Sequence, residues 1–147
     1  MINAKHLERV YEERSSYGED NDCTVMALAT AFEISYHEAH GILAREGRRN
    51  GQGCFFHAYM DGKNSTKTIG HFRYTRVQMV NEVTVDRAGM QYHRRHVTLA
   101  RFLRDFPKGR FILGCQGHVF TVIDGRIFNL FTGNRTQIRS IWYLEEI

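Results

Sequence analysis

Hydrophobic residues in the first third of the chain recur with the spacing of helices. The run HLERVYEER predicts a short polar helix, and CTVMALATAFEI, which begins at Cys23, carries a broad apolar stripe that can lie deep in a fold. The loop YGEDND between them is rich in turn-forming residues. Its Asn21 and Asp22 are of the types that cap helix N-termini. The pattern therefore predicts a buried helix that begins beside Cys23.

A further helix is predicted after Ser35, because Ser35 and Glu38 have the spacing of a capping box and apolar residues recur behind them. Gly47 is of the residue type that ends helices. Residues 48–70 show no clear period, since two polar loops flank the short apolar segment CFFHAYM. Within residues 71–86, the stretches HFRYTRV and EVTVD have the composition of strands.

The C-terminal half of the chain changes from a helical pattern to a strand pattern. Residues 98–106 predict an amphipathic helix that a following proline and glycine end. Four strand-like stretches come next, RFILGC, HVFTVID, RIFNLF and RSIWYLE, and Asp124 with Gly125 forms a hairpin signal between the second and the third. Helices followed by antiparallel strands indicate an α+β fold, which we expect to be a single domain over residues 1–147.

Length and composition fit one domain with its own core, since the chain has 147 residues of which 42% are hydrophobic. No apolar run reaches the roughly 20 residues of a membrane span, and the charged N-terminal segment lacks the apolar stretch of a secretory signal. We therefore expect a cytoplasmic protein with no membrane partner. The three cysteines, Cys23, Cys54 and Cys115, fit a reducing compartment because they cannot all pair within one chain.

The net charge of +4 comes mostly from arginine and leaves the partner open. A solvated surface with a mild basic excess accounts for it, and contact with an acidic protein or with nucleic acid is the alternative. A basic motif interleaved with aromatic residues is typical of nucleic-acid binding, and the sequence has none. We therefore favour a protein or peptide substrate, which would be acidic where arginines contact it. Nucleic acid is kept as an open alternative partner.

Cys23 is the candidate nucleophile, because it lies where a helix is predicted to begin. The N-terminus of a helix carries partial positive charge and free N–H groups, and both favour the thiolate over the thiol. The backbone N–H of Cys23 lacks a helical acceptor, so it is also free to donate to a developing oxyanion.

His118 is the candidate base, on the strand before the Asp-Gly turn. That turn sets a register in which Phe120 opposes Asn129, so His118 and Asn129 share a face of the sheet and lie diagonally close. The amide of Asn129 is then suited to accept the imidazole N–H and orient the ring, as the third member of a Cys-His-Asn set does. Asp124 is the second candidate for this role, although it lies further along the strand.

The runs NDCTVMALATAF and GHVFTVIDGRIFN resemble the pattern of papain-like cysteine hydrolases. More narrowly, the N-D-C-x-x-x-A helix followed by SYHEAH, with a late GHV strand, is similar to small uncharacterised proteins of bacteriophages. The resemblance implies a papain-like fold, with the nucleophile at a helix start packed on a C-terminal antiparallel sheet. It also implies a thiol protease, isopeptidase or amidase, acting in the host cytoplasm if the protein is viral. Residues 48–97 have no counterpart in it.

One position departs from the papain-like pattern. Those enzymes carry a glutamine six residues before the cysteine as a second oxyanion donor, and this chain has Tyr17 there. Asn21 or the hydroxyl of Tyr17 is expected to take its place. If neither does, the alternative is a catalytically weak or inactive scaffold that holds a host protein or nucleic acid.

A metal site competes with the hydrolase hypothesis. Cys54 and His57 form one C-x-x-H pair, and Cys115 and His118 form another, which together have the composition of a zinc site. Neither pair has the surrounding spacing of a zinc finger, and two residues three apart on one continuous strand would point to opposite faces. We therefore expect no metal and no other cofactor.

Overall fold

The computed structural model describes residues 4–18, 21–53, 56–61, 68–80, 91–93, 98–128 and 136–147. Its helices are α1 (Ala4–Tyr17), α2 (Cys23–Ala31), α3 (Tyr36–Arg45), α4 (Phe56–Asp61) and α5 (Leu99–Asp105). Its strands are β1 (Thr68–Ile69), β2 (Phe72–Val80), β3 (Gln91–His93), β4 (Arg110–Cys115), β5 (His118–Ile123), β6 (Arg126–Phe128) and β7 (Ser140–Glu146). The predicted α+β class is confirmed. In these ranges, every helix is too short or too polar to cross a membrane.

The strands form one mostly antiparallel sheet in the order β1-β2-β7-β4-β5-β6, and the short β3 pairs with β2 in parallel. β4, β5 and β6 follow one another as a meander. The last strand, β7, lies between β2 and β4 and joins the early part of the sheet to the late part. The early strand β2 is thus part of the same sheet, which the order of elements along the chain does not reveal.

Helix α2 packs against one face of this sheet and is buried along nearly its whole length. Its small residues Ala27, Ala29 and Ala31 allow close approach, and the backbone carbonyl of Ala27 accepts a hydrogen bond of 3.3 Å from Thr121 on β5. Helix α5 covers the other face, where Phe102 packs edge-on against Phe111 of β4. Burial on both faces holds the start of α2 against the start of β5.

Local turn and cap chemistry follows the sequence closely. Asp124 and Gly125 have φ values of 48° and 79°, as a tight two-residue hairpin requires, and β5 pairs with β6 in the expected register. Ser35 is the N-cap of α3 and its hydroxyl accepts a 2.9 Å bond from the N–H of Glu38. Gly47 has a φ of 102°, which explains why α3 ends before it.

The least periodic stretch of the sequence gave the least accurate expectations. The apolar segment CFFHAYM contains the helix α4, which its short length concealed. The predicted helix after Cys23 ends at Ala31, three residues early, because Glu33 adopts a φ of 53°. The predicted strand EVTVD lies outside the described residues.

Replacing Ser35 with alanine is expected to destabilise the fold by about 1 kcal/mol, since the N–H of Glu38 loses its acceptor at the helix end. Urea unfolding at pH 7 measures the change. Ser15→Ala, at an exposed position of α1, is the matched control and should cost less than about 0.5 kcal/mol. Equal losses in the two variants would contradict the capping role.

Candidate active site

Cys23 is the first residue of α2 and is half-buried against the start of β5. The side chain of His118 and the backbone N–H groups of Val119 and Thr24 lie near its sulfur, and hydrogen bonding by these groups lowers the pKa of Cys23. Burial is the largest single influence and raises the pKa of Cys23, but the bonds and the charge of His118 together outweigh burial. The net result is a pKa below that of an ordinary cysteine, which increases the thiolate fraction at neutral pH.

His118 is the first residue of β5, at the end of the β4–β5 hairpin. Its ring lies nearly parallel to that of Phe120, with the ring centroids 6.0 Å apart. Phe120 is fully buried, so this contact restricts the orientation of the imidazole. The predicted nucleophile and the predicted base are therefore brought together by the packing of α2 on β5.

Cys115 lies opposite His118 in the hairpin and differs from Cys23 in its electrostatics. Burial and the negative charge of Cys23 raise the pKa of Cys115 above its usual range. At neutral pH the thiolate fraction is therefore larger at Cys23 than at Cys115. The two cysteines on the same cleft thus differ in the direction of their pKa shifts.

The Cys23 sulfur faces a cleft with a volume of about 1020 Å³. One wall is the loop 46–53 after α3, the other is the turn of the β4–β5 hairpin, and α4 contributes the aromatic side chains of Phe56 and Tyr59. Loop 46–53 is tied to the residue two before the nucleophile, since Asn21 donates to the carbonyl of Gly51 at 3.2 Å. In return, Arg48 donates to the carbonyl of Asn21 at 3.4 Å.

Asp22 holds the N-cap position of α2, as predicted, but its side chain makes no cap hydrogen bond, so the expected capping is wrong. Its buried carboxylate instead accepts two bonds from Arg14 of α1, at 2.7 and 3.1 Å, and one from the hydroxyl of Tyr36, at 2.9 Å. The charged guanidinium of Arg14 is a stronger donor than a backbone amide, so the carboxylate pairs with it and not with the helix end. Asp22 thus anchors the helix start.

The two side chains considered as oxyanion donors have other partners. The hydroxyl of Tyr17 is hydrogen-bonded to Nδ1 of His37, and its ring packs at a tilt of 34° against His40 with centroids 4.3 Å apart. The side-chain amide of Asn21 donates to Gly51. The first-turn N–H of Cys23 has no intrahelical acceptor and is available for an oxyanion.

Asn129 and Asp124 are the two candidates for orienting His118. Asn129 lies outside the described residues, so its predicted role stays a prediction. Asp124 lies at the far end of β5, where its carboxylate accepts a 2.9 Å bond from the N–H of Gly109. That bond lowers the pKa of Asp124 and ties its carboxylate to the segment before β4.

The competing zinc site receives no support from the described ranges, in which no three His, Cys, Asp or Glu side chains come together as metal ligands. Cys54 lies outside those ranges. Cys115 and His118 do not share one continuous strand but pair across the β4–β5 hairpin, so they lie on the same face of the sheet. The condition under which they would point to opposite faces, one continuous strand, is thus not met.

Two cleft elements were not identified from sequence, loop 46–53 and helix α4. The aromatic residues in CFFHAYM were the only signal for them, and a six-residue helix is too short to show a period. A lowered cysteine pKa, an adjacent imidazole and an open cleft are together suited to nucleophilic attack on a carbonyl. Comparisons of the chain with known protein families, with curated proteins and with solved structures find no match.

Proposed function

We propose that this protein is a papain-like thiol hydrolase that cleaves an amide, isopeptide or thioester bond, most readily in a protein or peptide. The observation that carries the proposal is the placement of Cys23, the first residue of α2, beside His118 on one cleft. The lowered pKa of Cys23 and the cleft in front of the sulfur support it.

The reaction would proceed in two halves. In the first, the Cys23 sulfur bonds to the substrate carbonyl carbon and the carbonyl π electrons move to oxygen. As the oxyanion collapses, the bond to the leaving group breaks and His118 gives that group its proton. In the second half, His118 takes a proton from water, hydroxide bonds to the thioester carbon, and the C–S bond breaks to restore the thiolate. An amine in place of water would make the same site a transglutaminase.

Stabilisation of the oxyanion is the weakest feature of this site. The backbone N–H of Cys23 supplies one donor, while Tyr17 and Asn21 are engaged with His37 and Gly51. Loss of one donor costs a factor of about 100 to 1000 in rate in related chemistry. We therefore propose slow turnover, and the same observation favours the alternative, a catalytically weak or inactive module that holds a host protein or nucleic acid in this cleft.

Acylation of Cys23 tests the proposal directly. The chain is mixed with capped peptide thioesters, and its intact mass is followed over time. We expect an acyl adduct that maps to Cys23 and decays by hydrolysis, because a weak oxyanion site slows both halves without preventing them. The adduct should be absent from Cys23→Ala, which keeps the cleft but removes the sulfur.

The location and lifetime of the adduct decide between the alternatives. No adduct on Cys23, with thioester hydrolysis no faster than in Cys23→Ala, would establish the inactive module. Equal acylation of Cys23 and Cys115 would show that the thiols react by exposure alone, which contradicts activation by His118.

A further inference from the structure

The end of the cleft formed by α4 has an unusual combination of groups beside the nucleophile. Phe56 and Tyr59 lie one helical turn apart on α4, with ring centroids at 6.4 Å, and Leu43 of α3 borders the same space. Tyr59 is half-buried, and within the described residues its hydroxyl has no hydrogen-bond partner. An aromatic wall with one free donor is typical of ligand sites, in which a few polar groups orient an apolar ligand.

Among the described residues, the charged side chains that line the cleft, apart from His118 beside the sulfur, lie on its exposed loop. Glu46 and Arg49 are both exposed side chains of loop 46–53. Glu46 and Arg45 act electrostatically on the Tyr59 hydroxyl, but both side chains are exposed and their charges are screened by solvent. A charged substrate group placed against Phe56 and Tyr59 would therefore lose water for only a weak compensating attraction. An apolar group in the same place would gain by leaving water. The α4 end therefore discriminates against charge.

We infer that the α4 end of the cleft binds a bulky apolar side chain of the substrate, next to the bond that Cys23 attacks, while Tyr59 donates a hydrogen bond to a substrate carbonyl. This inference rests on the proposed function and names its substrate class. The segment that carries it lies within residues 48–97, where the resemblance to papain-like enzymes offers no counterpart.

Tyr59 is a suitable donor over a wide pH range. Burial, followed by the neighbouring Tyr74 and Glu46, raises the pKa of Tyr59 to about 12. The phenol therefore keeps its proton at every pH at which the fold is studied. Recognition by Tyr59 should then be independent of pH between about 6 and 10, whereas recognition by a histidine would change in that interval.

Binding to Cys23→Ala tests the inference apart from any chemistry. Capped tripeptide amides that differ only in a central Phe, Leu, Ala, Asp or Lys are titrated into this variant and followed by calorimetry at pH 7 and pH 9.5. We expect Phe and Leu peptides to bind at least about 10-fold more tightly than Asp and Lys peptides at both pH values. Tyr59→Phe, which removes only the hydroxyl, should lower the affinity for the Phe peptide about fivefold.

The matched control is Tyr11→Phe, at an exposed position of α1 away from the cleft, which should leave peptide affinity unchanged. Equal affinity for Phe and Asp peptides, or an unaltered affinity in Tyr59→Phe, would overturn the inference. The acylation of Cys23 is measured separately with small thioesters. An acylated Cys23 without peptide preference refutes only this inference, and a peptide preference without acylation refutes only the hydrolase.

Discussion

Replacing His118 with alanine is expected to slow the alkylation of Cys23 by iodoacetamide about tenfold at pH 7. The variant loses the hydrogen bond and the charge that favour the thiolate, while burial, which opposes ionisation, remains. Each unit of increase in the pKa lowers the thiolate fraction at neutral pH about tenfold, and the higher nucleophilicity of a more basic thiolate offsets part of this loss. The midpoint of the rate against pH should move upward.

Peptide-resolved mass spectrometry over a pH series measures this change and uses Cys115 as an internal reference. Because burial and the charge of Cys23 raise the pKa of Cys115, its midpoint should lie above that of Cys23 in the native chain. His71→Ala, at an exposed turn between β1 and β2, is the matched histidine control. Identical midpoints for Cys23 in the native chain and His118→Ala would remove the basis for a catalytic pair.

The second large effect is expected from Arg14→Met, which we predict to lower the free energy of unfolding by about 2–3 kcal/mol at pH 7. Breaking a buried ion pair typically costs about 3–5 kcal/mol, and the partial exposure of Arg14 reduces this figure. The side chain of Arg14 is 39% exposed and that of Asp22 only 5%. The methionine keeps the aliphatic packing and removes the cationic partner of the buried carboxylate of Asp22, which keeps its neutral donor, the hydroxyl of Tyr36.

The pH dependence separates lost charge from lost packing. Burial raises the pKa of Asp22, but the bonds from Arg14 and Tyr36 outweigh it, so the folded pKa is lower than the unfolded one. A depressed carboxyl pKa adds stability above the unfolded pKa of about 3.9, and this stability is lost as pH falls through the folded pKa. The free energy of unfolding of Arg14→Met should therefore fall furthest below that of the native chain near neutral pH, and the two values should converge in acid.

Urea unfolding at a series of pH values measures the stability of the native chain and of Arg14→Met as a function of pH. Arg9→Met, at an exposed position of the same helix, is the matched control and should change stability by less than about 0.5 kcal/mol. A deficit that stays constant down to acid pH would assign the loss to packing and not to the carboxylate. The start of α2 would then be held by apolar contacts alone.

Local chemistry explains which expectations were accurate. The capping box at Ser35, the turn at Asp124 and the strand Arg110–Cys115 all depend on residues adjacent in sequence, and all match the structure. Asp22 was misassigned because its competing partners, Arg14 and Tyr36, come from two other helices. Propensity favours a cap, and a tertiary ion pair that releases more free energy takes the side chain away from it.

For the candidate site, the sequence by itself determined that Cys23 begins a helix and that His118 lies on the strand before an Asp-Gly turn. Both placements follow from caps, periods and turns, which act over a few residues. Only the tertiary structure decided that Cys23 and His118 meet, that Cys115 faces the same cleft, and that Tyr59 borders it. These juxtapositions arise from burying α2 between α3 and the sheet, and local propensity carries no information about such long-range packing.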